Sequence, residues 1–179
     1  MGQYYRFIFL SESGAILHWI HPHDFDSGSK MMEFSWLDNE YVAAAESILA
    51  SKCYHIVCAG DYGAPEDDSG KNLYHMCDDV PELRLSPESV VVSKLLKAYI
   101  VNHTKKQYVN KLENKHWDPD SDWKIHPLPL LVSETTGSGG GDFRGTGEMD
   151  VGIWARDVLS LEAIRPGADY SEFRVGFCE

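Results

Sequence analysis

Apolar positions along this chain fall into short runs separated by polar stretches rich in glycine, proline and aspartate. The runs are too short for a bundle of long helices, and most are rich in aromatic and β-branched residues, which favours strands. Residues 4–10 and 15–20 predict an opening β-hairpin that turns at 11–14, and His21-Pro22 ends its second strand, since proline cannot donate to a ladder. Over 39–51 the period changes. Tyr41, Ala45, Ile48 and Leu49 recur at helical spacing, the alanines raise helix propensity, and Asp38 or Asn39 can cap the start. Lys52 complements the dipole at the far end.

Residues 53–59 read as a central strand, followed by a long excursion over 64–89 that is interrupted at 72–77. Around 90 the pattern is ambiguous: Pro87 would start a helix, while three successive valines at 90–92 disfavour one. Residues 95–102 and 107–112 predict a second hairpin that turns at 103–106, with lysines protecting an exposed edge. The runs 126–134 and 151–162 both read as buried strands. In the second, Arg156 and Asp157 would face opposite sides. The tail from 173 predicts a further edge strand. The expected fold is α+β: a mostly antiparallel β-sheet with one clear helix, about 39–51, packed on it, in a single domain spanning 1–179.

Composition sharpens this picture in three ways. With 179 residues, 43 % of them hydrophobic, the chain can bury a sizeable core. No apolar run approaches the ~18 residues of a membrane span, and the run at 7–10 is too short for a signal peptide. Arg6 stands where a myristoylation signal wants Ser or Thr. A cytoplasmic protein without a membrane partner is therefore expected, and its four cysteines, Cys53, Cys58, Cys77 and Cys178, are expected to be buried thiols, because no CxxC pair occurs. A net charge of −12 argues against nucleic acid as a partner. The charge is uneven: 61–82 holds seven acids against Lys71, and 94–115 holds six lysines against Glu113. These read as two solvated faces or, alternatively, as a docking surface for a basic protein.

Candidate chemistry lies in four places. In the loop 21–30, His21, His23, Asp24 and Asp26 form a mixed imidazole and carboxylate set that suits a divalent metal such as zinc, manganese or iron, although a surface turn explains the same residues. Asp61 follows the central strand, where a scaffold-held carboxylate can be catalytic or can simply make a turn. Residues 137–147 contain six glycines in eleven positions, a composition that allows close backbone approach to a ligand. There Gly139, Gly140, Gly141, Asp142 and Arg144 are the candidate ligand-binding residues, and Asp61, Asp142 and Arg144 the candidate catalytic ones. No Gly-Lys-Ser/Thr follows, so this is not a P-loop. Residues 117–123, WDPDSDW, alternate three carboxylates between tryptophans, but they lack the glycine and terminal Glu of a helix-loop-helix calcium loop.

Several of these segments occur together in one pattern: MGQYY at 1–5, SGSKMMEFSW at 27–36, AGDYG at 59–63, VNHTKKQYV at 101–109 and HPLPLLVSETTGSGGGDFRG at 126–145. With them the chain resembles, over nearly its whole length, a family of small intracellular proteins with no assigned activity. The chain departs from that pattern at Phe34, where the family carries His, and at Phe143, where it carries Tyr. If the family's His is a ligand or base, Phe34 removes it here. The resemblance implies an intact single domain and no particular reaction.

Three function classes follow, of which one is a purely structural or accessory protein whose two polar stretches serve as turns, and the other two involve a site. The first is an acidic binding or regulatory protein with a protein partner, which the charge, the aromatic content and the absence of a GxSxG elbow favour. The second is a metal-assisted hydrolase or phosphodiesterase built from the 21–26 loop, Asp61 and the glycine-rich 137–147 loop. The second requires those segments to converge in one pocket.

Overall fold

A computed structural model describes residues 2–66, 68, 70–85, 90, 99–113, 124–134 and 150–176. The glycine-rich 137–147 stretch, with Gly139, Gly140, Gly141, Asp142 and Arg144, lies outside the described residues, as do the 117–123 motif and Cys178.

Among the described residues the strands are β1 (Tyr5–Leu10), β2 (Ile16–Ile20), β3 (Tyr54–Gly60), β4 (Tyr99–Asn102), β5 (Gln107–Asn110), β6 (Ser133–Glu134), β7 (Val158–Glu162) and β8 (Ser171–Glu172). They form one sheet in the order β2-β1-β3-β7-β4-β5-β8, with β6 paired to β3. The pairings are antiparallel except β3 with β6 and β5 with β8. The helices whose ends lie among the described residues are α1 (Met31–Phe34), α2 (Glu40–Ser51), α3 (Leu73–Met76) and α4 (Pro127–Leu131). The α+β fold, a mostly antiparallel sheet with few helices, is as expected. No helix among the described residues is long and apolar enough to cross a membrane.

The opening hairpin forms where the pattern places it, with Gly14 at φ +82° closing the turn. Helix α2 starts at Asn39, whose side chain accepts from the Tyr41 and Val42 amides and so satisfies two orphan donors. Its buried face includes Tyr41, Val42, Ala44, Ala45, Ile48 and Leu49. These pack on Tyr5, Phe7 and Phe9 of β1 and on Ile56 and Cys58 of β3. The alternate residues, Ile8 and Leu10 of β1 and Val57 and Ala59 of β3, meet Leu73 of α3 and Cys77 on the opposite face. This half of the sheet is covered on both sides. That is why β1 and β3 read as continuous apolar runs rather than alternating ones.

Five expectations are corrected. Residues 126–134 are not a strand but α4 followed by the two-residue β6. Pro127 has a φ suited to a first helical turn, and His126 Nδ1 accepts the Leu128 amide as a cap. Residues 151–156 are turns, and the strand begins only at Val158, because Gly152 and Arg156 hold φ values of +77° and +66° that a strand cannot contain. Cys53 is exposed rather than buried, whereas Cys58 and Cys77 are buried as expected. The second hairpin is β4–β5, and β8 lies along β5, so the lysine-bearing hairpin is not the sheet's last strand. Beyond Glu172 the tail has no strand geometry up to residue 176.

Candidate functional site

One edge of β3 is shared between two partners, and that division creates a cleft. Toward its start, Tyr54 and His55 pair antiparallel with Leu159 and Val158 of β7. Toward its end, Cys58 and Ala59 pair in parallel with Ser133 and Glu134 of β6. At the junction the Arg156 amide donates to the Ile56 carbonyl at 2.8 Å, and the Ile56 amide donates to the Asp157 carbonyl at 3.3 Å. Glu134, ending β6, and Arg156, preceding β7, therefore stand side by side. The 150–156 turn is held against the end of α4: the Gly152 and Trp154 amides donate to the Leu130 and Leu131 carbonyls, each at 2.8 Å. A Cβ on Gly152 would lie 2.6 Å from the Ser133 carbonyl oxygen, so only glycine fits there.

The resulting cleft, about 290 Å3, is walled by Ala59, Ala64, Pro65 and Leu73 and carries Glu66, Glu134 and Arg156. Arg156 Nε donates to Glu134 Oε1 at 2.6 Å and its Nη2 to Glu134 Oε2 at 3.0 Å, a bidentate pair. Its Nη1 donates to Glu66 Oε2 at 2.9 Å, and Nη2 also bonds Glu66 Oε1. Its hydrogen bonds to Glu66 and then Glu134 push the guanidinium pKa well above its ordinary value. A non-glycine residue at positive φ is uncommon, and here two carboxylates and two backbone bonds hold it in place. Asn72 fixes the opposite rim, since its Nδ2 donates to the Asp61 and Gly63 carbonyls, both at 3.0 Å. Glu134 is also the residue that leads directly into the glycine-rich stretch, and Asp150 resumes the described chain after it.

A second groove, about 320 Å3, runs between β5 and the C-terminal segment and is lined by residues such as Glu113, Glu172 and Arg174. Neither Asp61 nor the 21–26 loop lines it.

Those residues predicted from the sequence that are described lie outside the lining of this cleft. The Asp61 carboxylate accepts the Tyr4 amide at 3.0 Å, while the Asp61 amide donates to the Tyr4 carbonyl at 3.0 Å. Asp61 thus fastens the N-terminus to the end of β3, next to the cleft but outside its lining. Residues 22–25 form a 3-10 turn in which His21 Nδ1 accepts the His23 amide at 3.2 Å, and Asp26 takes a left-handed φ of 50°. The rings of His21 and His23 lie 4.7 Å apart. Burial, Arg6 and His23 together lower the His21 pKa. Glu82 accepts the His21 amide at 3.1 Å, and its own pKa is raised by burial and by a hydrogen bond with Asp24. Among the described residues, no group of three or more His, Cys, Asp or Glu side chains has an arrangement that could hold a metal ion, so His21, His23, Asp24 and Asp26 are not assembled into one.

The acidic run is largely engaged. Asp78 pairs with Arg6, Asp79 with Lys71, and Glu66 with Arg156. Glu66, Glu134 and Arg156 were not singled out as a site in the sequence, and no local signal marks them. They are 90 and 22 positions apart in the two contacts, and only the shared edge of β3 unites them.

Comparisons of the chain with protein-family models, with curated proteins and with solved structures return no match.

Proposed function

We propose that the chain is a binding or regulatory protein and that the cleft beside β3 receives a basic side chain from a protein partner. One observation supports this reading: among the described residues, two carboxylates, Glu66 and Glu134, gather at one end of a cleft whose walls are apolar, with Arg156 between them. A lysine or arginine stem would lie along Ala64, Pro65 and Leu73, with its charged end at the carboxylates. The net charge of −12 supplies a long-range field that favours encounter with a basic partner.

The hydrolase reading has less support. It needs a donor for a phosphate, yet four of the five Arg156 N–H groups already donate to Glu66 and Glu134, and an anion there would meet both carboxylates. It also needs the 21–26 loop and Asp61 to act on one substrate, and these two have separate partners, Glu82 and Tyr4.

The test is binding of matched peptides, followed by fluorescence polarisation, with arginine, lysine, citrulline or norleucine at one central position. The charged peptides should bind and the neutral ones should not. Glu66→Gln should weaken binding at least about fivefold, as should raising the salt several-fold. Equal binding of the neutral peptides would overturn the proposal. So would a thermal shift that appears only with a divalent metal and a phosphorylated compound together.

A further inference from the structure

Arginine carries five N–H donors in a planar fork, and that fork matches the paired oxygens of carboxylates. Inside the cleft one such fork is already engaged. Arg156 Nε and Nη2 meet the two oxygens of Glu134 at 2.6 and 3.0 Å, and Nη1 meets Glu66 Oε2 at 2.9 Å. Nη2 also bonds Glu66 Oε1. Two carboxylates from distant parts of the chain thus converge on one guanidinium.

Backbone bonds hold all three residues in place without help from that guanidinium. Glu134 ends β6, which pairs with β3. The Glu66 amide donates to the Lys71 carbonyl at 2.9 Å. The Arg156 amide donates to the Ile56 carbonyl, and the Arg156 carbonyl accepts from His55 Nδ1, both at 2.8 Å. The turn before it is fastened separately, by the Gly152 and Trp154 amides, to the end of α4. Rotation about side-chain bonds alone therefore frees the guanidinium, and the turn stays where it is. Water already reaches the contact, since the Arg156 side chain is 40 % exposed, so opening it costs little.

We infer that the cleft is a guanidinium site, in which Arg156 stands in for an arginine side chain of the partner and is displaced when that arginine enters. The assignment rests on the reading that the cleft takes a basic side chain, and it narrows that side chain to arginine. An incoming arginine reproduces the fork and its four bonds, whereas a lysine ammonium is a compact charge with three donors and cannot. Glu66 and Glu134 exchange one guanidinium for another, and the freed Arg156 side chain turns to solvent. The internal contact lowers the apparent affinity in proportion to the fraction of molecules in which it is closed. It also selects, because a side chain that makes fewer bonds than Arg156 displaces it poorly.

The experiment measures, by fluorescence polarisation, the affinities of the matched arginine and lysine peptides for the full chain and for its Arg156→Lys and Arg156→Ala variants. Wild type should bind the arginine peptide at least about fivefold tighter than the lysine one, because lysine leaves charge-assisted bonds unmade. Arg156→Lys keeps the charge but removes the fork, so it should bind the arginine peptide at least about threefold tighter than wild type does. Arg156→Ala should gain more. Its gain should be larger for arginine than for lysine, because losing a cation by itself helps both peptides alike. Equal binding of the two peptides by wild type would overturn the assignment to arginine, even if neither variant folded, and would leave the basic-side-chain reading intact. An unchanged arginine affinity in folded Arg156→Lys would also overturn it. Neutral peptides that bind as well as the charged ones, or no binding by any form, would remove the reading and the assignment together.

Discussion

Lys111 Nζ stands 2.7 Å from each carboxylate oxygen of Glu46, with both side chains buried in the core. Helix α2 carries Glu46 on its buried face, and the short 3-10 turn after β5 delivers Lys111. His126 completes the arrangement. Its Nδ1 accepts the Leu128 amide, so Nε2 carries the hydrogen and donates to Glu46 Oε1 at 3.0 Å. One carboxylate thus ties the helix to the segments on both sides of 114–123.

Breaking this pair takes the carboxylate away from a buried ammonium. Glu46→Gln should cost about 3–5 kcal/mol, measured by urea unfolding, because removing one partner of a buried ion pair is far worse than replacing both. Glu46→Met combined with Lys111→Met should cost less than Glu46→Met alone. A double variant worse than the single would show that Lys111 matters mainly through other contacts.

The same group sets an acid limit. Burial works to raise the Glu46 pKa, but the His126 and Lys111 donors outweigh it and hold the carboxyl below its ordinary 4.5. A carboxyl with a depressed folded pKa contributes stability that is full above its unfolded value and is lost as pH falls through the folded one. Unfolding free energy should therefore fall with pH below about 4.5 in the wild type, and less steeply in the Glu46→Met, Lys111→Met double variant. Parallel slopes would contradict this.

Tyr41 tests whether a single hydroxyl joins helix to sheet. Its oxygen accepts the Phe7 amide at 2.7 Å and its hydrogen goes to the Ile20 carbonyl at 3.1 Å, all within the core. Tyr41→Phe leaves both backbone groups unsatisfied and should cost about 1–3 kcal/mol. Slowed exchange of the Phe7 amide relative to wild type would be the wrong sign.

Gly152→Ala probes the turn that presents Arg156. The added methyl meets the Ser133 carbonyl, and the positive φ is strained for alanine, so a loss of about 2 kcal/mol is expected. Gly14→Ala shares the positive φ but has open space, and should lose about half as much.

Arg156 itself should behave as a site residue rather than a core one. Its side chain is 40 % exposed, and its partners Glu66 and Glu134 are 27 % and 29 % exposed, so solvent screens both pairs. Arg156→Gln should change stability by less than about 1 kcal/mol while altering which charged peptides bind. A loss comparable to that of Glu46→Gln would reassign Arg156 to structural support.

Legibility differed between kinds of residue. Helix α2 and the two hairpins were readable because each carries its own instructions: a cap and a repeating apolar face for the helix, turn residues between β-rich runs for the hairpins. The run at 126–134 misled because a short apolar stretch fits a strand or a buried helical turn equally well, and the cap that decides it is a histidine side chain. The buried Glu46 was hidden for a related reason. It falls on the apolar face of α2, but only Lys111 and His126, 65 and 80 positions away, explain how a carboxylate can stay there.

The sequence by itself determined the two hairpins, helix α2 and the acidity, since propensity, capping and turn chemistry act over a few residues. Which polar side chains meet was decided by tertiary structure alone. Glu134 and Arg156 are neighbours because β6 and β7 divide one edge of β3, and Cys53 meets His103 because the β4–β5 turn closes beside the start of that same strand. Long-range pairing carries no local signature, and side chains whose only shared feature is a strand edge cannot be matched until that strand has its neighbours.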